Sequence, residues 1–297
     1  MVHTIDLHFL DISGAIAAYC IPTDNGAVLV ECGPHSTNNH LVAGLSELGL
    51  QPTDIKAVFL THIHFDHAGA AWWWAQQGAH IFVHPRGYRH LQDPEKLYAS
   101  AKRIYGDDME RLWGDMQSID PDKITAVEDF QIIEFDGLEM KAHHTPGHAS
   151  HHIAWELGDL LFTGDVGGVK IQDGPVVPPC PPPDIMLEDW ASSLDRIREI
   201  QARRLYLTHF GPVENIEQHL EELSTRLRAY ANWVKPYAER ATPMEEIQTA
   251  FLEFIEGEFI SLDLDRPTIE AYRAANPPDM SLTGLMRYWL KHGLTAD

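Results

Sequence analysis

Apolar and polar positions along this chain switch repeatedly between the period of a strand and that of a helix. Residues 5–10, 15–21 and 26–31 are short apolar runs that read as successive strands, and Asp24-Asn25-Gly26 is a hairpin-turn signal. Glu31-Cys32-Gly33-Pro34 reads as a turn. Leu41, Leu45 and Leu48 then recur at helical spacing, which predicts a helix capped by Ser36 and ended by Gly49. A buried strand comes next at 55–60. After it come a short helix from about His67, whose Trp72, Trp73 and Trp74 read as packing residues, and a strand at 79–83.

Residues 85–122 leave this alternation. They are rich in aromatic and charged residues, read as helical over 94–113, and have the character of an insertion near a site. Runs at 129–135 and 138–144 pair across Asp136-Gly137, and runs at 152–156 and 159–163 form a further strand pair. Prolines at 178, 179, 181, 182 and 183 make 174–184 an ordered loop. An amphipathic helix at 189–200 and a strand at 204–208 complete the alternation. From 213 onward the period is helical, with Ile216, Leu220, Leu223, Leu227 and Tyr230 in step, as far as about His292. The pattern predicts an α/β domain over 1–212 and a helical C-terminal extension over 213–297.

Several of the strands end in residues that carry chemistry. Thr61-His62-Ile63-His64-Phe65-Asp66-His67 ends one strand, His148 sits on a Pro146-Gly147 turn, Asp165 lies in a glycine-rich turn, and His209 ends the strand at 204–208. Imidazole and carboxylate groups are the donors that a borderline divalent ion prefers. These seven residues suffice for two ions with Asp165 shared between them. Two ions roughly 3.5–4 Å apart can hold a bridging hydroxide and acidify water to a pKa of about 7. His144 reads as structural. His151 and His152 would point to opposite faces if strand alternation extends to them, so at most one would face the site.

In these motifs, Thr61-His-x-His-x-Asp-His67, Thr145-Pro-Gly-His148, Thr163-Gly-Asp165 and Thr208-His209, the chain resembles the metallo-β-lactamase superfamily over about residues 1–212. The resemblance implies an αββα sandwich with metals at one edge, carrying the helical insertion and the C-terminal extension. It implies His62, His64 and His148 on a first metal, Asp66, His67 and His209 on a second, and Asp165 bridging. It implies two Zn2+ per chain, with iron or manganese compatible with the same donors. In many members an aspartate precedes the glycine of the early turn, where this chain has Cys32-Gly33. Support behind the metal loop is therefore expected to differ, and Cys32 reads as a small buried hydrophobe.

The implied chemistry is hydrolysis: a metal-bound hydroxide attacks a small ester, thioester or lactone, with Asp66 assisting proton transfer. The family's glutathione-thioesterases bind the anionic glutathione tail partly with basic residues of a helical C-terminal region. From residue 214 this chain has 15 acidic against 8 basic residues, a poor match to that anion. An oxidoreductase of the family's persulfide dioxygenase type needs one iron on His62, His148 and Asp165, and a non-catalytic metal-binding protein needs no reaction at all; both stay open as alternatives. Di-iron flavoproteins fit less well, since they typically carry glutamate where His64 stands. The net charge of −22 repels phosphate backbones and disfavours nucleic acid as partner. No apolar run is long enough for a membrane span, and no signal peptide is visible. Cys20, Cys32 and Cys180 are too scattered for a disulfide framework, which suggests a cytoplasmic protein acting on a small molecule. The helical C-terminus is a plausible homodimer interface.

Overall fold

The structure, a computed structural model, describes residues 1–293. Two six-stranded sheets are stacked face to face. The first runs in chain order: β1 (His3–Asp6), β2 (Ala17–Thr23), β3 (Gly26–Val30), β4 (Ile55–Phe59), β5 (His80–Val83) and β6 (Ile124–Ala126). Its first three strands are antiparallel and the rest parallel. The second comprises β7 (Ile132–Phe135), β8 (Leu138–His144), β9 (Ile153–Leu157), β10 (Leu160–Phe162), β11 (Arg204–Leu207) and β12 (Gly211–Val213), with only the β10–β11 pair parallel.

Alternation within the strands divides the apolar side chains between two layers. On β2, Ala17, Tyr19 and Ile21 enter the core between the sheets with Phe59, Trp155, Phe162 and Tyr206, whereas Ala18 and Cys20 face the outer helices. Both faces are covered, which is why these strands read as continuous apolar runs. The first sheet is covered by α1 (Asn38–Glu47), α2 (Phe65–Ala68) and α3 (Ala71–Gln76), through Leu41, Leu45, Phe65 and Trp74. The insertion forms α4 (Pro85–Gln92), α5 (Glu95–Tyr105) and α6 (Met109–Trp113), and its Trp113 lies 6.1 Å from the Phe65 ring.

The second sheet is covered by α7 (Leu187–Ile200) and by α8 (Ile216–Glu239), α9 (Met244–Ser261), α10 (Arg266–Ala275) and α11 (Pro278–Tyr288). These C-terminal helices share one apolar core with Leu161, Leu205 and Leu207 of the sheet. No helix among the described residues is long and apolar enough to cross a membrane.

Several element boundaries depart from the sequence pattern. The first strand ends at Asp6, and Phe9–Asp11 forms a 3-10 turn. The cause is the Asp6 carboxylate, which accepts hydrogen bonds from His8 N (3.0 Å), Ser13 Oγ (2.6 Å) and Gly14 N (2.8 Å) and folds the chain back. Ser36 does not cap α1. It lies inside a 3-10 turn, His35–Thr37, and its hydroxyl donates to Leu112 O of the insertion at 2.6 Å. The helix after the metal loop begins at Phe65, two residues before the expected start. Strands β6 and β12, three residues each, lie outside the strands that the pattern predicts.

Leu223 of α8 is fully buried in the core that holds Val166 and Val169, with its Cδ1 2.8 Å from where a Cβ on Gly168 would stand, at the end of the turn that carries Asp165. Leu223→Ala is expected to lower stability by about 2–5 kcal/mol. Urea titration should show this as a lower midpoint with an unchanged slope; an unchanged midpoint would contradict the packing.

Candidate metal centre

Four strand ends on one rim of the sandwich carry the polar cluster. Beyond β4 the chain runs through His62 and His64, then enters α2, where Asp66 and His67 fall in the first turn and Phe65 is anchored in the core. Beyond β8 the Pro146-Gly147 turn presents His148. Gly147 has φ +135, and a Cβ there would lie 2.4 Å from Trp190 Cα, so only glycine fits against α7. Beyond β10 the turn Gly164–Gly167 presents Asp165, and a Cβ on Gly164 would lie 2.5 Å from Thr61 Oγ1. His209 follows β11 after one residue, Thr208.

All seven residues singled out in the sequence converge. Ligand-type atoms of His62, His64, His148 and Asp165 lie within 4.8 Å of one another, as do those of Asp66, His67 and His209. Asp165 joins the two groups. Its Oδ2 is 3.3 Å from His148 Nε2, and its Oδ1 is 3.2 Å from His67 Nε2 and 3.3 Å from His209 Nε2. Asp66 Oδ2 lies 3.5 Å from His209 Nε2 and 3.7 Å from His67 Nε2.

Hydrogen bonds on the far side of each ring decide which nitrogen is free. His148 Nδ1 donates to Pro179 O at 2.9 Å, and His209 Nδ1 donates to Ala15 O at 2.7 Å. His67 Nδ1 donates to Glu31 Oε1 at 3.0 Å. His62 Nδ1 donates to Thr61 Oγ1 at 3.0 Å, and that hydroxyl in turn donates to Glu31 Oε1. The Nε2 atoms of all four rings are therefore the ones aimed inward, and they offer a lone pair to an ion whenever they carry no proton. Two of them, on His62 and His148, each approach His64 Nδ1 to 3.0 Å, and a single ring proton cannot serve both. His67 Nε2, His209 Nε2 and Asp165 Oδ1 are buried with no hydrogen-bond partner. Converging, unpartnered donor atoms of this kind fit a cation.

The charge distribution is uneven. Burial holds His62 well below the ordinary imidazole range, with His67, His64 and His148 adding to the effect, and burial brings His64 down to about 4. His148 is lowered for the same reason. Burial also acts against protonation of His67 and His209, but there the carboxylates outweigh it. Asp165, Asp66 and Glu31 raise His67 well above its usual value, and Asp165 with Asp66 raises His209 to about 9. Burial pushes the Asp165 carboxyl up, yet His67, His148 and His209 hold it well below the usual range. The Asp66/His67/His209 group thus attracts positive charge strongly.

A sequence model of the metallo-beta-lactamase superfamily matches residues 13–209, which contain every residue of this cluster. The chain belongs to that superfamily. The metallo-beta-lactamase fold-containing protein ST1585 of Sulfurisphaera tokodaii is 31% identical over 57% of this chain and 66% of its own length. Its crystal structure, described for Sulfolobus tokodaii, superposes with a TM-score of 0.69 at 26% identity, covering 96% of this chain and 97% of that one. An atrochrysone carboxyl ACP thioesterase of Aspergillus fumigatus is 25% identical over 57% of this chain and 42% of its own. A hydroxyacylglutathione hydrolase of a Synechococcus strain is 27% identical over 58% and 55%. The chain thus spans two thirds or less of the length of these curated relatives.

The superfamily reading needs one correction in the layer behind the ligands. The supporting carboxylate is present, one residue before Cys32. Glu31 has φ +65, which turns its side chain inward, and it is fully buried. Its carboxylate accepts from Thr61 N (3.3 Å), Thr61 Oγ1, His67 Nδ1 and Thr208 Oγ1 (3.3 Å). The overlooked signal was a glutamate at the end of an otherwise apolar strand. Cys32 is buried, with burial pushing its thiol well up, and its Sγ lies 3.3 Å from His67 O.

Strand alternation does not apply to His151 and His152, because β9 starts only at Ile153. Both rings flank His62, at centroid distances of 6.1 and 5.1 Å. His152 is structural, since its Nδ1 pairs with Thr145 Oγ1 at 2.9 Å and its Nε2 accepts from Val166 N at 3.4 Å. His144 Nε2 donates to Val127 O at 2.9 Å, a structural role. Of the tryptophans, Trp74 is core and Trp72 Nε1 donates to Asp115 O at 3.0 Å, tying α3 to the insertion.

Metal titration is expected to resolve two classes of site with different pH dependence. Below about 9 the metal-free His209 carries a proton that an ion must displace. His67, raised as well, carries a second one, so affinity at this cluster should rise at least about tenfold per pH unit towards that value. At the His62/His64/His148 cluster His64 titrates only near 4, so affinity there should stay flat from 6.5 upward. A single pH-independent class would contradict the charge distribution. Glu31→Gln should weaken binding about 10- to 100-fold by removing the acceptor behind His67, as read by competition with a chelator.

Proposed function

We propose that this protein is a dinuclear metal-dependent hydrolase that cleaves a small ester, thioester or lactone. The observation that carries the reading is the division of Asp165 between two clusters, with Oδ1 left unpartnered beside two unpartnered imidazole nitrogens. In this reading His62, His64 and His148 hold one ion, Asp66, His67 and His209 hold the other, and Asp165 serves both. Imidazole and carboxylate donors suit zinc. Residues 1–212 form the metal-binding domain and the chain from 213 the helical extension, of which 294–297 lie outside the described residues. The thioesterase and the hydroxyacylglutathione hydrolase among the relatives support hydrolysis as the reaction type. Three free, buried cysteines suit a reducing cytoplasm.

The bound ions supply Lewis acidity, which turns water into a nucleophile near neutral pH and stabilises charge on a carbonyl oxygen. The chain supplies position and proton transfer. Asp66 is the accessible carboxylate of the cluster, with 19% of its side chain exposed against 5% for Asp165. Although burial opposes it, His67 and His209 keep Asp66 ionised, so it can accept the proton of the attacking water and return it to the leaving oxygen or sulfur. Asp165, buried and flanked on both sides, fixes the spacing of the two clusters. A single-iron dioxygenase on His62, His148 and Asp165 would leave His67 Nε2 and His209 Nε2 without a purpose.

Protein purified without added metal should carry about two zinc ions per chain. One iron would favour the dioxygenase, and bound metal without turnover of any substrate class the non-catalytic alternative. His148→Ala and Asp165→Ala should lose metal and reduce turnover of a lactone, thioester and ester panel to background. Asp66→Asn should lower kcat by about 10²- to 10⁴-fold, the range expected for loss of a positioned proton acceptor. Full activity in any of the three variants would refute its assignment.

A further inference from the structure

A cavity of about 470 Å³ lies beside His209, bounded by the loop after β1, by Ile171 and Gln172, by Phe210 and Gly211, and by the first half of α10. That volume is in the range of small-ligand sites, about 300–1,000 Å³. None of the seven cluster residues lines the cavity, which adjoins the cluster through chain neighbours behind His209. Phe210 is the residue after His209, and Gly14 precedes Ala15, whose carbonyl accepts the His209 Nδ1 proton at 2.7 Å. The Phe210 ring packs over Gly14, with its Cδ1 3.2 Å from where a Cβ would stand.

Both sides of the cavity are fixed by hydrogen bonds. On one side Asp6 accepts from Ser13 Oγ and Gly14 N, at 2.6 and 2.8 Å. On the other, Tyr272 of α10 donates to Pro175 O at 2.7 Å, and its hydroxyl accepts from Ile171 N at 3.1 Å. A site held this way needs little ordering when a ligand enters.

The lining is apolar, with carboxylates at the rim. Ile12, Ile171, Phe210 and Ala271 supply the apolar surface, and Asp11 and Glu270 the charge; among the described residues no lysine or arginine lines the cavity. Glu270 is bridged by Arg266 at 2.8 Å, whereas Asp11 has no ion pair among the described residues. The chain's net charge of −22 works in the same direction. An anionic group is therefore disfavoured here, and a cation with an apolar body meets a carboxylate at the rim and an aromatic ring in the wall.

We infer that this cavity binds a compact, largely apolar group carrying a positive charge at its outer end. If the hydrolase reading holds, that group is an outlying part of the substrate, held against Phe210 next to His209; its role as substrate rests on that reading, and its binding does not.

Three phenols of similar size test the cavity directly: 4-(trimethylammonio)phenol, its neutral isostere 4-tert-butylphenol and 4-hydroxybenzenesulfonate. Calorimetry on the metal-loaded full chain should show the cation binding about three- to tenfold tighter than the neutral phenol, as expected for one exposed carboxylate. The sulfonate should bind weakest. Asp11→Asn should reduce the cation to the affinity of the neutral phenol, and Pro267→Trp, at the exposed rim, should weaken both, with metal content unchanged in each. Equal binding of the three, tightest binding of the sulfonate, or no loss in either variant overturns the inference. The acetate esters of the same phenols separate it from the hydrolase reading. Ordered binding without turnover leaves the cavity assigned and removes its role as a substrate site; turnover without the charge order supports the hydrolase and removes the cavity.

Discussion

The structure is organised around a carboxylate that should not be stable where it is. Asp165 lies in the core at the joint of two sheets, with 5% of its side chain exposed. A buried carboxylate without compensating charge is costly enough that it would ordinarily take up a proton. Three histidines prevent this, and the turn that holds the residue is tied down on all sides. Val166 N donates to His152, Val166 O accepts from Trp190 Nε1 at 2.9 Å, and Thr163 N donates to Tyr206 O at 3.0 Å. With that much fixed backbone the carboxylate cannot relax towards water. Its remaining demand for positive charge falls on the space between the imidazoles, which is where a metal ion is most useful.

The histidines could not meet this demand alone, because five imidazoles at such distances repel one another once protonated. A second buried carboxylate resolves the conflict from behind. Glu31 collects protons from His67 and Thr61, and Thr61 in turn collects the one on His62. Main-chain carbonyls of Ala15 and Pro179 do the same for His209 and His148. The outer hydrogen bonds thus orient the inward lone pairs before any ion arrives, and the sandwich carries them at strand ends, whose positions its core fixes.

The sandwich and the seven-residue cluster were legible in the sequence because each ligand comes after an apolar run whose period marks it as a strand. The parts that stayed hidden depended on backbone geometry that a residue pattern does not encode. Glu31 reads as the last residue of a strand, and only its positive φ turns it inward. His151 and His152 precede β9, so period-two reasoning about their faces had no strand to act on. The short first strand reflects side-chain acceptance by Asp6, a local competition with pairing that hydropathy does not register.

The C-terminal helices, least explicit in the sequence, reach the metal centre through the proline loop. Asn276 Nδ2 donates to Pro178 O at 3.3 Å, and Cys180 N donates to Ser281 Oγ at 3.1 Å. Between these two anchors lies Pro179, whose carbonyl orients His148. Helices outside the span matched by the superfamily therefore help to fix the geometry of a residue inside it. The same span, 13–209, contains the whole polar cluster but neither Asp11 nor α10, the two sides of the cavity beside His209. The division has a physical basis. Metal donors must sit at strand ends that a shared core holds rigid. A rim that meets the outer part of a ligand needs only to be anchored to that frame, so its charge and shape can vary without disturbing the reaction centre.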